Sequence, residues 1–549
     1  MQFQRPGRYL GKEWGQSFKK PQVKDLRVCL AFPESYEVGM SNLGFRIIHD
    51  LFGAHDHVSC ERCFMPYSDL EEYLRTEKRH LFSLETKTPL KDFDVVAFCL
   101  NYELNFLNFL KMLELGGIEV ESEKRNKPLV IIGGMNNPEP VARFIDAAFL
   151  GEFEESSFMF IESLRKTKKL DKKDTLDSLL DIPGVYIPSL YHLTDDGLKP
   201  NDGRAPFPLT RTYVTDLNKH FYPKEWPVPY IAPVFDRLQV ELQRGCPHQC
   251  KFCQAHCIYY PYRERQKQVV IDKIKSLYRS TGYEVISLLG LSVIDYSQLT
   301  GLLTEIIPYL KKRRVSLSIP SLRPTPKTAK IIEMLTYAKK PGITVALEAG
   351  NDRLRRSIGK DIDLNDCLGL VSVAAGRGYK RFKFYFMIGL PGETNDDVLS
   401  IADTLEKIAE LHKKERGNFP EINASISYFI PKPFSGFEQH FLEKETTLKE
   451  RETLLKQRLK KSRFIKLHFP DFRRTLLEYL ISRSDRRIAP VLEEVLRRES
   501  KQKESFLAID NWLEACDREG LATDLLLRSA QTLPRHIQIT RDKPLATKS

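Results

Sequence analysis

The run Gln243-Arg244-Gly245-Cys246-Pro247-His248-Gln249-Cys250-Lys251-Phe252-Cys253 sets three cysteines in a C-x3-C-x2-C array directly after the apolar stretch Leu238–Leu242. If that stretch is a strand, the fold must deliver three thiols to one strand end, and this constrains the chain more than any other feature. Three thiolates at this spacing can hold three irons of one [4Fe–4S] cube and leave its fourth iron without a protein ligand. Two competitors stay open. Zinc sites usually pair two C-x2-C knuckles or add histidines at short spacing, and no second knuckle follows downstream. Cys257, four residues past Cys253, would complete a four-thiol set and close the cluster into a ferredoxin-like electron carrier. Phe252 favours the open cube, because an aromatic ring before the third cysteine can pack over an adenine.

The chain has 549 residues, enough for about three or four domains. No apolar run reaches the ~18–20 residues of a membrane span, so no membrane partner is expected. The start, Met1-Gln2-Phe3-Gln4-Arg5-Pro6, lacks the apolar core of a signal peptide. Ten cysteines in this length make no disulfide framework, which points to the reducing cytoplasm. A formal charge of +12 suits an anionic partner, nucleic acid first. Much of that excess falls in lysine-rich stretches such as Lys456–Lys466, where charge runs are ordinarily solvated faces.

In residues 1–187, apolar strands at Val28–Phe32, Val95–Leu100 and Leu129–Ile132 alternate with helix-period stretches at Leu43–Leu51 and Leu104–Leu115. This is the pattern of a Rossmann-like, doubly wound α/β domain, whose ligands bind beyond the carboxyl ends of the strands, here Pro33–Gly44 and Gly133–Asn137. Residues 188–234 read as a proline-rich, aromatic linker. In residues 235–442, strands are expected at Leu238–Leu242, Val285–Leu289, Val315–Ser318, Thr344–Leu347, Arg381–Ile388 and Ile426–Phe429, with helices between them such as Leu299–Arg313 and Leu364–Arg377. Six such units make a partial (β/α)6 barrel with its chemistry at the carboxyl strand ends, where the cysteine triplet falls. Residues 443–549 read as a charged helical extension with no further strand series, ending in an aperiodic tail at Pro534–Ser549.

Several blocks recur in this order: Pro33–Gly44, Cys246–Cys253 with Ile258–Arg265, Ser287–Ser292, Ser318–Arg323, Leu347–Gly350 with Arg353–Lys360, Tyr385–Thr394 and Ser482–Ile488. Together they resemble the radical S-adenosylmethionine superfamily. More narrowly, the chain is similar to the family in which a MiaB- and NifB-like core follows a cobalamin-binding-like N-terminal domain. The resemblance implies a [4Fe–4S] cluster on Cys246, Cys250 and Cys253. It implies S-adenosyl-L-methionine held by Phe252, Gly290, Ser292, Ser321, Arg323, Glu348, Gly350, Met387 and Gly389. The methionyl amine and carboxylate would chelate the open iron. An electron, from a reductant such as flavodoxin or ferredoxin, would then break the sulfonium C–S bond and yield a 5′-deoxyadenosyl radical.

These positions also read physically. Ser287–Ser292 would present strand-end backbone to the amine, although it lacks the acidic residue often found there. Arg323 can make a charge-assisted bond to the cosubstrate carboxylate, or be a surface arginine after a Pro-Ser turn. Glu348 ends an apolar strand, where buried acids are uncommon without a partner, and can accept bonds from ribose hydroxyls. Glycines at Gly389-Leu390-Pro391-Gly392 let backbone approach the adenine, but a plain turn uses the same residues.

The match fails in one place. Cobalamin domains that use a lower histidine carry Asp-x-His-x-x-Gly after the first strand, and Pro33–Gly44 contains no histidine. His49, His55 and His57 are mis-spaced and read as solvated or helix-capping. Cobalamin is therefore doubtful, and the domain either holds it without histidine ligation or serves as a substrate-docking module. Among Cys29, Cys60, Cys63 and Cys99, only Cys60-x2-Cys63 has the spacing of an auxiliary cluster; Cys29 and Cys99 lie inside apolar runs and read as small buried side chains.

The leading expectation is a radical enzyme acting on an unidentified substrate, with tRNA or another anionic macromolecule as the first class. The alternatives are cobalamin-dependent radical methyl transfer to a small molecule, and a non-enzymatic iron–sulfur carrier or RNA-binding scaffold. Replacing Cys257 by alanine separates them. An open cube keeps its iron and its cosubstrate cleavage in Cys257→Ala, whereas a closed four-thiol cluster is lost, as read by the visible absorbance and iron content.

Overall fold

Alternating apolar runs and amphipathic helices become two parallel-strand units. The computed structural model describes residues 3–134, 137–194, 197–220, 222–223, 226–335, 342–502, 507–521 and 537–538. One unit comprises residues 1–236, 279–281 and 480–549; the other comprises 237–278 and 282–479. Met135 and Asn136 of the expected ligand loop, and most of the aperiodic tail, lie outside the described residues. No described helix is long and apolar enough to cross a membrane.

The first unit holds strands β1 (Leu26–Phe32), β2 (Val58–Phe64), β3 (Val95–Cys99), β4 (Leu129–Gly133), β5 (Ala147–Phe149) and β6 (Val185–Tyr186), in spatial order β2-β1-β3-β4-β5-β6. All neighbours are parallel except β5 and β6. β2 and β3 flank β1 on opposite sides, so the order reverses there and makes the sheet doubly wound. β2 is the strand its sequence hides, because Glu61 and Arg62 interrupt the apolar pattern. Both are nonetheless buried.

A charge network compensates that burial. Arg62 meets Glu85 at 2.8 Å and Glu13 at 2.6 Å, and Tyr36 donates to Glu13 at 2.8 Å. Burial pushes the Glu13 carboxyl up, but the Arg62 charge outweighs it and holds the group below the ordinary carboxylate range.

The second unit runs in chain order. β7 (Leu238–Glu241), β8 (Val285–Leu289) and β9 (Ser316–Ser318) form one parallel sheet. β10 (Ile343–Glu348), β11 (Arg381–Ile388), β12 (Glu421–Tyr428) and β13 (Ile465–His468) form another, and a parallel bridge between Leu322 and Val345 joins the two. A series without reversal is the singly wound, partial-barrel arrangement expected. β12 starts five residues before its expected position, because its first half alternates polar with apolar residues.

The expected helical extension does contain a helix, Glu445–Arg458, but it also contains β13, which pairs with β12. Ile-Lys-Leu-His is too short and too charged to read as a strand alone; parallel pairing creates it. The described residues from 480 onward belong instead to the first unit, where Arg486 meets Glu139 at 2.9 Å and Tyr186 at 2.8 Å.

Arg62→Ala leaves two buried carboxylates without their cation, and urea melts are expected to lose about 3–5 kcal/mol at neutral pH. The deficit shrinks as pH falls, beginning above the wild-type Glu13 value, because without Arg62 burial pushes that carboxyl up and protonation removes the stranded charge.

Candidate active site

Gly245 follows the short strand Gln243–Arg244, and the cysteines come next on one loop. Lys251 N–H donates to the Ile358 carbonyl at 2.9 Å, which ties this loop to the turn that closes the helix Asp352–Ser357. Gly359 in that turn has φ 72°, and a Cβ there would lie 2.8 Å from the Gln249 carbonyl oxygen. Only glycine allows this approach. The next residue, Lys360, is thereby set beside the cysteines.

Burial pushes the Cys246 thiol up to about 11, and Cys250 is also raised by burial against the lowering charges of Lys360 and Arg323. Cys250 and Cys253 both act electrostatically on Cys246, so the three thiols share one region. Among the described residues, no three His, Cys, Asp or Glu side chains converge as ligands of a single ion would. Ligands of a cube bind separate irons and need no such convergence, so the donor set fits an iron–sulfur cluster held on three thiolates. Cys257 is buried on the helix Gln254–Ile258 that follows.

Three strand ends bring charge to this loop. Glu348 closes β10 at φ 69°, a left-handed conformation unusual for a non-glycine residue, at a register shift against β11. Its carboxylate meets Lys360 at 3.3 Å; burial raises its pKa, and Lys360 opposes the rise. Arg323, past β9, donates to the Asp361 carbonyl and acts on both Cys250 and Asp295. Asp295, past β8, accepts from Ser292 and meets His248 of the cysteine loop at 2.7 Å. Burial raises Asp295, but His248 and Ser292 outweigh it and leave the carboxyl below its ordinary value.

Sequence reasoning missed two of these groups. Lys360 stands twelve residues from its partner in a tail quoted only as a block, and Asp295 supplies, three residues past Ser292, the acid the strand end itself lacks. A basic residue closing the helix after Glu348, and Ser-x-x-Asp after β8, were the available signals.

The other expected positions have definite surroundings. Phe252 and Met387 pack against one apolar cluster that includes Leu354, Ile358 and Phe429. Lys360 lies 5.9 Å from the Phe252 ring centroid. Gly290 leaves room for Gln243, which donates to the Ser292 carbonyl at 2.6 Å. Gly389 has φ 88°, and its N–H donates to Glu393 at 2.6 Å, a carboxyl pushed up to about 7 by burial and held by Arg451 at 2.8 Å. Ser321 is exposed beside the bridging Leu322, and no hydrogen bond joins it to the group among the described residues. At Gly350 a Cβ would fall 2.3 Å from the Ile401 amide nitrogen, so this position serves close packing.

In the first unit the loop after β1 is partly packed: Glu37 binds Arg8 at 2.7 Å, and Met40 is fully buried. His49 is buried beside Asp50, not solvated; His55 caps the helix Leu43–Ala54 and faces Glu162 at 3.4 Å; His57 lies 3.7 Å from Asp25. The residues present thus do not offer a lower histidine ligand to cobalamin. Cys60 and Cys63 lie three apart on β2 and point to opposite faces, so they cannot share an ion.

Two family models match the chain: one described as radical SAM proteins, N-terminal, over residues 44–188, and one as the radical SAM superfamily over residues 240–405. The uncharacterized protein MJ0966 of Methanocaldococcus jannaschii is 26% identical over 470 residues, covering 85% of this chain and 90% of that protein. A tRNA-2-methylthio-N(6)-dimethylallyladenosine synthase of Nitratidesulfovibrio vulgaris is 25% identical over 54% of this chain and 60% of its own length. Among solved structures, the cobalamin-dependent S-adenosylmethionine radical enzyme OxsB with aqua-cobalamin bound is similar in fold, with TM-score 0.52 and 14% identity over 92% of this chain and 80% of that one.

Gly350→Ala is expected to destabilise the protein by about 1–3 kcal/mol through overpacking against the helix Asn395–Arg416, read as a lower melting temperature.

Proposed function

The chain belongs to the radical SAM superfamily, and on that premise we propose that it modifies RNA by radical chemistry started at the Cys246–Cys250–Cys253 loop. It is a radical SAM enzyme that uses a [4Fe–4S] cluster and S-adenosylmethionine. When bound, these supply an electron that cleaves the sulfonium and a 5′-deoxyadenosyl radical able to take hydrogen from an unactivated carbon; the protein supplies binding, orientation and exclusion of water.

The observation that carries the site assignment is the meeting of charged strand ends around Cys250. Arg323 and Lys360 would bind the methionyl carboxylate, and Asp295 with the Ser292 backbone would receive the amine. Glu348 would accept bonds from the ribose hydroxyls, and Phe252 and Met387, which pack on one apolar cluster, would line the adenine. Together they seat a zwitterion with an apolar ring, and no single group among them would do so.

The RNA assignment rests on the +12 charge and on likeness to a relative named for a tRNA product. Cobalamin-dependent transfer to a small molecule is the second reading, and the loop after β1 offers it no histidine ligand.

The test is anaerobic reconstitution with iron and sulfide, reduction by dithionite, and assay of 5′-deoxyadenosine from S-adenosylmethionine with and without bulk tRNA. Wild type is expected to form the nucleoside and leave a mass-shifted base in the RNA digest. Cys246→Ala, Cys250→Ala or Cys253→Ala should reduce cleavage to background. Cleavage without any change in the RNA digest would refute the RNA assignment and leave the enzyme class standing.

A further inference from the structure

The inner face of the second unit carries chemistry that the cosubstrate site does not use. On β11, Phe382, Phe384, Phe386 and Ile388 are buried on the helix side, where Phe382 packs 5.8 Å from the ring of His412. The alternate residues Arg381, Lys383 and Tyr385 are exposed, and Met387 is half-buried. Strand register extends that inner face in rows. Thr344, Lys383, Asn423 and Lys466 stand opposite one another on β10 to β13. Two residues nearer the carboxyl ends, Ala346, Tyr385, Ser425 and His468 form the next row. Above them Met387 joins the apolar cluster of Phe252. One surface therefore leads from the cysteine loop past Tyr385 to a pair of lysines, about 13 Å from Met387 at ~3.3 Å per residue.

Cations dominate this surface. On the inner face of β11 to β13, Arg381, Lys383 and Lys466 stand against the single acid Glu421, which Lys466 meets at 3.4 Å. Lys383 lies 4.8 Å from the Tyr385 ring centroid. At the amino-end rim, Phe419 and Phe464 stack at 4.0 Å and 5°, with Lys413 4.6 Å from the Phe419 ring. Phe419 is exposed, as are Lys460, Lys461 and Arg463. His412, fully buried, sets its two ring nitrogens 3.0 Å from the Tyr379 carbonyl and 2.9 Å from the Asn418 carbonyl, beside the turn that presents Phe419.

We propose that this face binds single-stranded RNA. The Phe419–Phe464 platform takes a base at the rim, Lys383 and Lys466 take backbone phosphates, and Tyr385 stacks on the nucleotide that reaches toward Phe252. Aromatic stations with cations between them match a strand of repeating bases and phosphates. A small phosphorylated molecule would use the inner row and leave the rim platform idle. The inference rests on the RNA reading above and says where that RNA lies.

The experiment is fluorescence anisotropy of a labelled single-stranded RNA oligonucleotide across a salt series, using the full-length, cluster-loaded protein. Melting temperature and iron content confirm folding of each variant. Lys383→Gln combined with Lys466→Gln should lower the slope of log K against log salt by about 1.4, at ~0.7 per phosphate contact. Tyr385→Ala and Phe464→Ala should each weaken binding about tenfold, the order of one lost stacking contact. RNA binding by wild type with no change in any of these variants would overturn the inference while sparing the RNA reading. Full competition by a nucleoside monophosphate would also overturn it, in favour of a small phosphorylated substrate. Absence of RNA binding by wild type would end both.

Discussion

The active-site end of the second unit depends on one backbone contact, the bond from Lys251 N–H to the Ile358 carbonyl. It fastens the cysteine loop, which follows β7, to the turn beyond β10. Gly359 permits the approach and Lys360 inherits the position, so its ammonium comes to stand between Cys250 and Glu348. A loop carrying three thiols would otherwise be free to wander, as loops over a surface are. Here it is packed through Phe252 into an apolar cluster and paired through His248 to Asp295.

Strain and charge sit where that contact leads. Glu348 adopts a left-handed backbone at the bulge ending β10, a conformation that persists only when its surroundings over-determine it. Its burial is made tolerable by Lys360 and is useful because the carboxylate is held at a strand end instead of in the core. The first unit uses buried charge differently. Arg62, Glu13 and Glu85 satisfy one another inside the sheet layer and hold the chain before β1 against β2. There the network specifies packing; around Cys250 the charges gather at strand ends, with Lys360 against Glu348 and His248 against Asp295.

Most of the second unit was legible in its sequence. Val285–Leu289 and Arg381–Ile388 have the observed bounds, because apolar runs of that length flanked by amphipathic helices leave little choice. β13 was not legible, since Ile465–His468 is half polar and becomes a strand only by pairing with β12. β2 was missed for a related reason: its Glu61 and Arg62 look like solvent positions until their partners appear. The extension after residue 443 read as one helical piece, yet its first part completes one sheet and its last part packs on the other unit. Sequence patterns report local amphipathicity and say nothing of which unit a helix will join.

For the candidate site, the sequence by itself supplied the thiol spacing of Cys246, Cys250 and Cys253, and its resemblance to a family pointed to the strand-end acid Glu348 and the guanidinium of Arg323. Tertiary structure decided the partners. Lys360 and Asp295 reach the loop only because parallel strands bring their carboxyl ends to one side. Gly350 is closely packed and the Gly389 N–H makes an internal bond, which no glycine in a sequence announces. Thiol spacing is a property of one short segment and survives any fold. The meeting of charges from three separate strand ends is a property of the barrel and exists only once the strands are in register.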